Sequence, residues 1–185
     1  MNLDEKLKNK FLYTKKLNLL KIIYFFYQYI KSIKFIKKRV FHSNWGIDRM
    51  AEDYFKKKKN GFFVDVGCHQ PFLNNNTYIL YKKGWRGINI DLDFGAIDMF
   101  NFFRKEDTNI QAAVSNSVEK KNLYYFHNRS AINTLSIKEG LKSRQVKQVI
   151  TSTLNKIIEN SIHNNKEIDF LSIDVEGFEI EVLEG

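Results

Sequence analysis

Several acids stand where a chain of alternating strands and helices could put them to use. Asp65 interrupts the apolar run FFVDVG (62–67), Asp91 closes INID (88–91), and Asp174 and Glu176 follow IDFLSI (168–173). An ionised carboxylate inside an apolar strand is costly unless a cation or hydrogen-bond donors meet it, so Asp65 needs partners. Asp65 and Asp91 lie 26 residues apart. That interval suits a nucleoside site, in which a glycine turn after one strand admits close approach to the backbone and an acid after the next holds ribose hydroxyls. Gly67 alone occupies the turn and no Gly-x-Gly-x-x-Gly run is present, which disfavours a dinucleotide with its pyrophosphate. The competing reading makes both acids ordinary turn residues.

The elements that position these groups follow from local pattern. FFVDVG is β-prone and bounded by Gly61 and Gly67, so it reads as a buried central strand. The loop CHQPFLNNN (68–76) supplies Asn residues to cap a helix over TYILYKKG (77–84), with Gly84 at its C-terminus and INID as the next strand. Strand, helix and strand make a βαβ crossover, hence a parallel sheet with its strand C-termini at one edge, where open α/β sheets bind ligands. Further on, NIQAAV (109–114) predicts a third strand, and KKNLYYFHN (120–128) with INTLSI (132–137) a hairpin-like excursion. VKQVITSTLNKIIEN (146–160) predicts a strand and a helix starting near Thr151 or Ser152, and Ile168–Ile173 another buried strand.

The chain has 185 residues, 43% of them hydrophobic and 15% aromatic, enough for one domain with a real core. Cys68 is the only cysteine, so no intramolecular disulfide or cysteine-held metal cluster can form, which fits a reducing cytoplasm. Nothing in the sequence requires a metal. The net charge is +9, inflated by a Lys-, Asn-, Ile- and Phe-rich composition, but its distribution is uneven. Residues 1–60 hold 16 Lys/Arg against 5 Asp/Glu. Within this segment Leu19, Ile22, Ile23, Phe26, Ile30 and Ile33 recur at helical spacing, with Lys21, Gln28, Lys31 and Ser32 opposite. The amphipathic helix so predicted is too short in its uncharged run to span a bilayer. Its apolar face is expected either to dock on the domain or a partner subunit, or to lie in a membrane interface through residues 15–41, with lysines near lipid phosphates. Nucleic acid is not expected, because no base-reading motif accompanies the lysines. The run Lys56–Lys59 reads as a solvated helix end.

Three segments together resemble the FkbM-type methyltransferases: GFFVDVGCHQPFLNNNTYILYKKGWRGINIDLD (61–93), AAVSN (112–116) and IDFLSIDVEGFEIEVLEG (168–185). NWGIDRMAEDYF (44–55) is similar to the helix preceding the core in that family, with Ile47 where an acid is expected. The resemblance implies a Rossmann-like class I methyltransferase fold with a mostly parallel sheet, the C-terminal strands of the family fold missing, preceded by a basic amphipathic arm. The division implied is an arm over 1–43 and a methyltransferase domain, incomplete, over 44–185.

The implied activity is an O-methyltransferase using S-adenosyl-L-methionine on a hydroxyl of a sugar or glycan-related small molecule, handled in the cytoplasm at the inner membrane face. By the same resemblance Asp65 and Gly67 lie under the methionine part and nucleoside, Asp91 holds the ribose diol, and Ala112 and Ala113 pass near the adenine. Asp174 and Glu176 then face the reacting centre, with His69 as rival base or hydrogen-bonding scaffold. Otherwise Asp174 and Glu176 cap the helix beginning near Gly177. His127 and His163 read as surface or turn residues. Two other readings remain at this level: a non-catalytic remnant of the fold, and a lipid- or nucleic-acid-binding module led by the arm.

Overall fold

A computed structural model describes residues 11–12, 18–38, 42–43, 45–127 and 130–185. The part of the predicted arm outside these ranges lies beyond the described residues. In chain order the elements are α1 (Asn18–Lys38), α2 (Ile47–Tyr54), β1 (Phe62–Val66), α3 (Tyr78–Lys82), β2 (Arg86–Asp91), α4 (Phe94–Phe103), β3 (Thr108–Gln111) and β4 (Ala113–Val114). They continue with β5 (Lys120–Tyr125), α5 (Ile137–Gly140), β6 (Gln145–Ser152), α6 (Leu154–Glu159), β7 (Phe170–Ile173) and α7 (Glu179–Leu183).

The central sheet has the order β3-β2-β1-β7, all parallel, as the βαβ pattern predicts for a Rossmann-like fold. β1 is buried along its whole length, and alternation sends its side chains to two cores. Phe62, Val64 and Val66 join Ile88, Ile90, Leu154, Ile157 and Val182 on one face. Phe63 joins Ala51, Ile79, Leu80 and Trp85 on the other. Val66 is level with Ile90 and with Ile173, so Gly67, Asp91 and Asp174 emerge side by side at one sheet edge.

The predicted strand over NIQAAV is divided. β3 pairs with β2 as far as Gln111, then the chain turns at Ala112 and β4 pairs with β6 instead. The predicted hairpin is also corrected. β5 runs antiparallel to β6 over six residue pairs, and its contact with the INTLSI segment is a single bridge, Tyr124 to Thr134. A β-strand at 120–125 needs a full ladder for its backbone groups, and Gln145–Ser152 offers one where the short segment 132–137 does not. The result is a second sheet, β4-β6-β5.

The arm helix is present, and of the two placements expected for its aliphatic face, docking on the domain is not the one observed. The helix docks instead through Tyr24 and Phe25, which pack with Phe72 and Met99, and Phe25 stands 5.5 Å from the Phe102 ring. Gln28 and Ser32, expected on the outer face, are only 6% and 3% exposed. Leu19, Ile23 and Ile30, on the face expected either to dock or to lie in a membrane interface, are 63%, 53% and 64% exposed. The receiving surface explains this placement. It is aromatic, from Phe72, Phe102 and Phe103, and it carries Asp98, which pairs with Lys21 at 2.7 Å. Gln28 is satisfied there by the Tyr24 hydroxyl, to which its amide donates at 2.8 Å. Aromatic shape and a cation partner therefore outweigh aliphatic burial at this contact. No helix among the described residues is long and apolar enough to cross a membrane.

Candidate active site

The turn after β1 begins at Gly67, whose φ of +80° suits a residue without a side chain. A Cβ there would also run into the carbonyl oxygen of Asp174, so the glycine lets the ends of β1 and β7 close together. Two residues on, His69 adopts φ +48° and its backbone N–H donates to the Asp91 carboxylate at 2.9 Å. The N–H of Asp93 donates to the other oxygen of Asp91 at 2.8 Å. Two backbone donors thus fix the Asp91 carboxylate at the end of β2. Asp93 caps α4, accepting from the Ala96 N–H.

Around these groups lies a cavity of about 310 Å³, within the range of roughly 300–1,000 Å³ common for small-molecule sites. Gly67, His69, Asp91 and Asp174 line it at the sheet edge, and Ala112, Ala113 and Val114 form a side wall. The second sheet makes its roof through Leu123, Tyr125, Lys147 and Val149, joined by the segment 130–135. The Lys147 ammonium stands 3.2 Å from the centre of the Tyr125 ring, a cation–π contact within this roof. Apolar walls with a few converging polar groups are what a nucleoside-sized ligand needs, and only Ala and Val side chains flank the path at 112–114.

Asp65 is not part of the lining. Its side chain points to the opposite face of the sheet, is 2% exposed, and accepts from Asn75 Nδ2 and Thr77 Oγ1, each at 3.0 Å. Thr77 and Asn75 in turn accept from the Arg104 guanidinium, which is itself paired with Asp107 at 2.8 Å. Burial raises the Asp65 pKa and the nearby Arg104 works against that rise. The expectation that Asn side chains cap α3 is modified accordingly: Thr77 stands at the cap and Asn75 bridges the network. Asp65 therefore anchors the floor of the site from behind, while Gly67, two residues on, reaches the cavity.

The acid pair after β7 also divides. Asp174 lines the cavity, and its pKa is raised by burial and then by the neighbouring Glu179. Glu176 is outside the lining, at φ +56°, with its carbonyl accepting from Thr134 Oγ1 at 2.8 Å. Burial, then Asp174, Glu179 and Glu139, raise the Glu176 pKa. Neither acid caps α7. Its N-cap residue is Phe178, without a side-chain bond, and Glu179 in the first turn reaches back to the preceding loop, one carboxylate oxygen accepting from the N–H of Val175 and of Gly177 at 3.1 Å each. His69 and Glu176 are two of the three non-glycine residues at positive φ among the described residues, so backbone strain gathers next to the cavity.

His163, read from the sequence as peripheral, has a structural place: its Nε2 lies 3.0 Å from Thr108 Oγ1 and its ring packs on Phe62. Tyr125, Lys147, Asn133 and Thr134 were not foreseen as site residues. Alternation within β5 and β6 places Leu123 with Tyr125, and Lys147 with Val149, on one face, but the pattern does not say what that face covers. Among the described residues no group of three or more His, Cys, Asp or Glu is arranged to hold a metal ion.

Residues 65–185 match the model of the methyltransferase FkbM domain. The chain belongs to the FkbM methyltransferase family. No curated protein and no solved structure gives a significant match. The matched region runs from the middle of β1 through α7 and so takes in both sheets, the cavity and the roof. Gly67, Asp91 and Asp174 all fall within the matched region.

Proposed function

We propose that this FkbM-family chain is an S-adenosyl-L-methionine-dependent O-methyltransferase whose acceptor is a hydroxyl of a sugar or glycan-related small molecule. The observation that carries the reading is one cavity bounded by the backbone-pinned Asp91 on β2, the Ala112–Val114 wall and the Asp174 carboxyl after β7. These residues fit the cofactor chemically. Asp91 can accept from ribose hydroxyls, the small side chains at 112–114 leave room for a flat base, and Gly67 permits close backbone approach. When bound, the cofactor supplies an electrophilic methyl group on a sulfonium centre.

The roles of the protein groups follow from charge. A carboxylate pressed on a sulfonium would stabilise the reactant cation more than the transition state, in which that charge is disappearing. Asp174 is better used on the acceptor side, holding its hydroxyl and taking the proton, and a raised pKa brings it closer to neutral working pH. His69 shares the lining and is the alternative proton acceptor. The roof of β5 and β6 restricts water and fixes the donor and acceptor against each other, which is where most of the acceleration in such a transfer arises. The sugar class rests on family resemblance and on the Asp174 carboxyl in the lining, which suits a hydroxyl donor. Incubation of the full chain with methyl-labelled cofactor and a panel of sugars, amines and thiols tests this. Label is expected on oxygen; label confined to nitrogen or sulfur acceptors would overturn the reading.

A further inference from the structure

α1 turns an aliphatic face away from the domain. Leu19, Ile23, Phe26 and Ile30 recur at i, i+4, i+7 and i+11, and all four are exposed. They form a row about 16 Å long on the side opposite the docked Tyr24, Phe25, Gln28 and Ser32. A contiguous apolar row on an otherwise charged molecule marks a contact surface. Its surroundings are basic. Between Asn18 and Lys38 there is no acidic residue and there are five lysines, of which Lys21 is paired with Asp98 of the domain. Lys31 is exposed next to Ile30.

We infer that this face of α1 lies in the interface of an anionic lipid bilayer. A second copy of the chain would offer the apolar surface but would set lysine rows against each other, with no acid on the helix to answer them. An anionic bilayer offers both an apolar phase for Leu19, Ile23, Phe26 and Ile30 and counter-charge for the lysines. The helix lies flat rather than crossing, consistent with its length and charge. Its aromatic side stays on the domain, so the contact does not require α1 to leave Phe72 and Met99. Each lysine near an anionic surface is worth roughly fivefold in partitioning, which makes the contact salt-dependent.

Co-sedimentation of the full chain with phosphatidylcholine vesicles, with and without phosphatidylglycerol, at low and high salt, tests the inference. The chain is expected to bind vesicles containing phosphatidylglycerol about tenfold or more tightly than phosphatidylcholine alone, and to be released by salt. Ile23→Glu with Ile30→Glu should abolish that binding and leave the melting temperature unchanged, since both side chains are more than half exposed. If the glutamate pair lowers the melting temperature, Lys31→Glu decides instead, with a severalfold loss expected. Absence of binding to either vesicle, equal binding to both, or undiminished binding by the folded variant would overturn the inference. So would a dimer seen by sedimentation velocity that Ile23→Glu with Ile30→Glu dissociates.

Discussion

Asp174 meets the cavity with a carboxyl that is partly shielded and close to Glu179, and both raise its pKa. As a base it must be ionised, so the acidic limb of kcat/KM should lie higher than an unperturbed aspartate would place it. Asp174→Asn is expected to lower kcat by roughly 10²–10⁴-fold, the usual worth of a positioned base. His69→Ala should cost much less if Asp174 takes the proton, and equal losses would shift the role to the histidine. The same shift has a stability consequence of definite sign. A carboxyl whose folded pKa is raised favours the folded state below the unfolded pKa, and that advantage is lost as pH rises through the folded value. Between acidic and neutral pH the melting temperature of the native chain should therefore fall relative to Asp174→Asn. A constant difference across that window would refute the shift. At this scale the sequence showed which residues cluster but not their directions. Asp65 and Gly67 are neighbours in one motif, yet strand alternation turns Asp65 to the far face. Glu176 is diverted by its own positive φ.

The elements are held by a network that no local pattern announces. Arg104, at 1% exposure, is packed among the Phe63, Tyr81 and Phe100 rings while it pairs with Asp107 and donates to Asn75 and Thr77. Asp107 also accepts from the Gly87 N–H and from Asn89, so it ties β2 to the loop before β3. Arg104→Met would leave Asp107 and Asp65 buried without their cation. A loss of about 3–5 kcal/mol in denaturant unfolding is expected, with less than that when Asp107→Asn is added. Equal losses in the single and double variants would mean that packing, not charge, is what Arg104 provides. The βαβ unit was legible because its strands are apolar and its turn residues are punctual. α1 was legible as a helix but not in its orientation. Helical spacing ranks faces by hydropathy, whereas the docking surface selects aromatic shape and offers Asp98 to Lys21.

For the molecule as a whole, the candidate cavity lies between two sheets, and only part of one of them follows from short-range signals. The β1-β2 part of the parallel sheet follows from a crossover whose handedness is general, whereas β7 joins β1 by a long-range pairing. The roof depends on the long-range pairing of β5 with β6 and on the break at Ala112 that hands β4 to β6. Nothing in NIQAAV marks that break, since it holds neither Gly nor Pro. Hence Gly67 and Asp91 on the floor of the site could be foreseen from the local pattern and Asp174 from the family resemblance, and the Tyr125–Lys147 roof could not. The central claim is that this cavity holds the adenosyl group with Asp91 on its ribose. Isothermal titration of the full native chain with S-adenosylhomocysteine, repeated on a folded Asp91→Asn variant, tests it most directly. Saturable one-to-one binding that weakens at least about tenfold in the variant is the predicted result, since two ribose hydroxyls lose a charged acceptor. No saturable binding by the native chain, or equal affinity in both proteins, would contradict the claim.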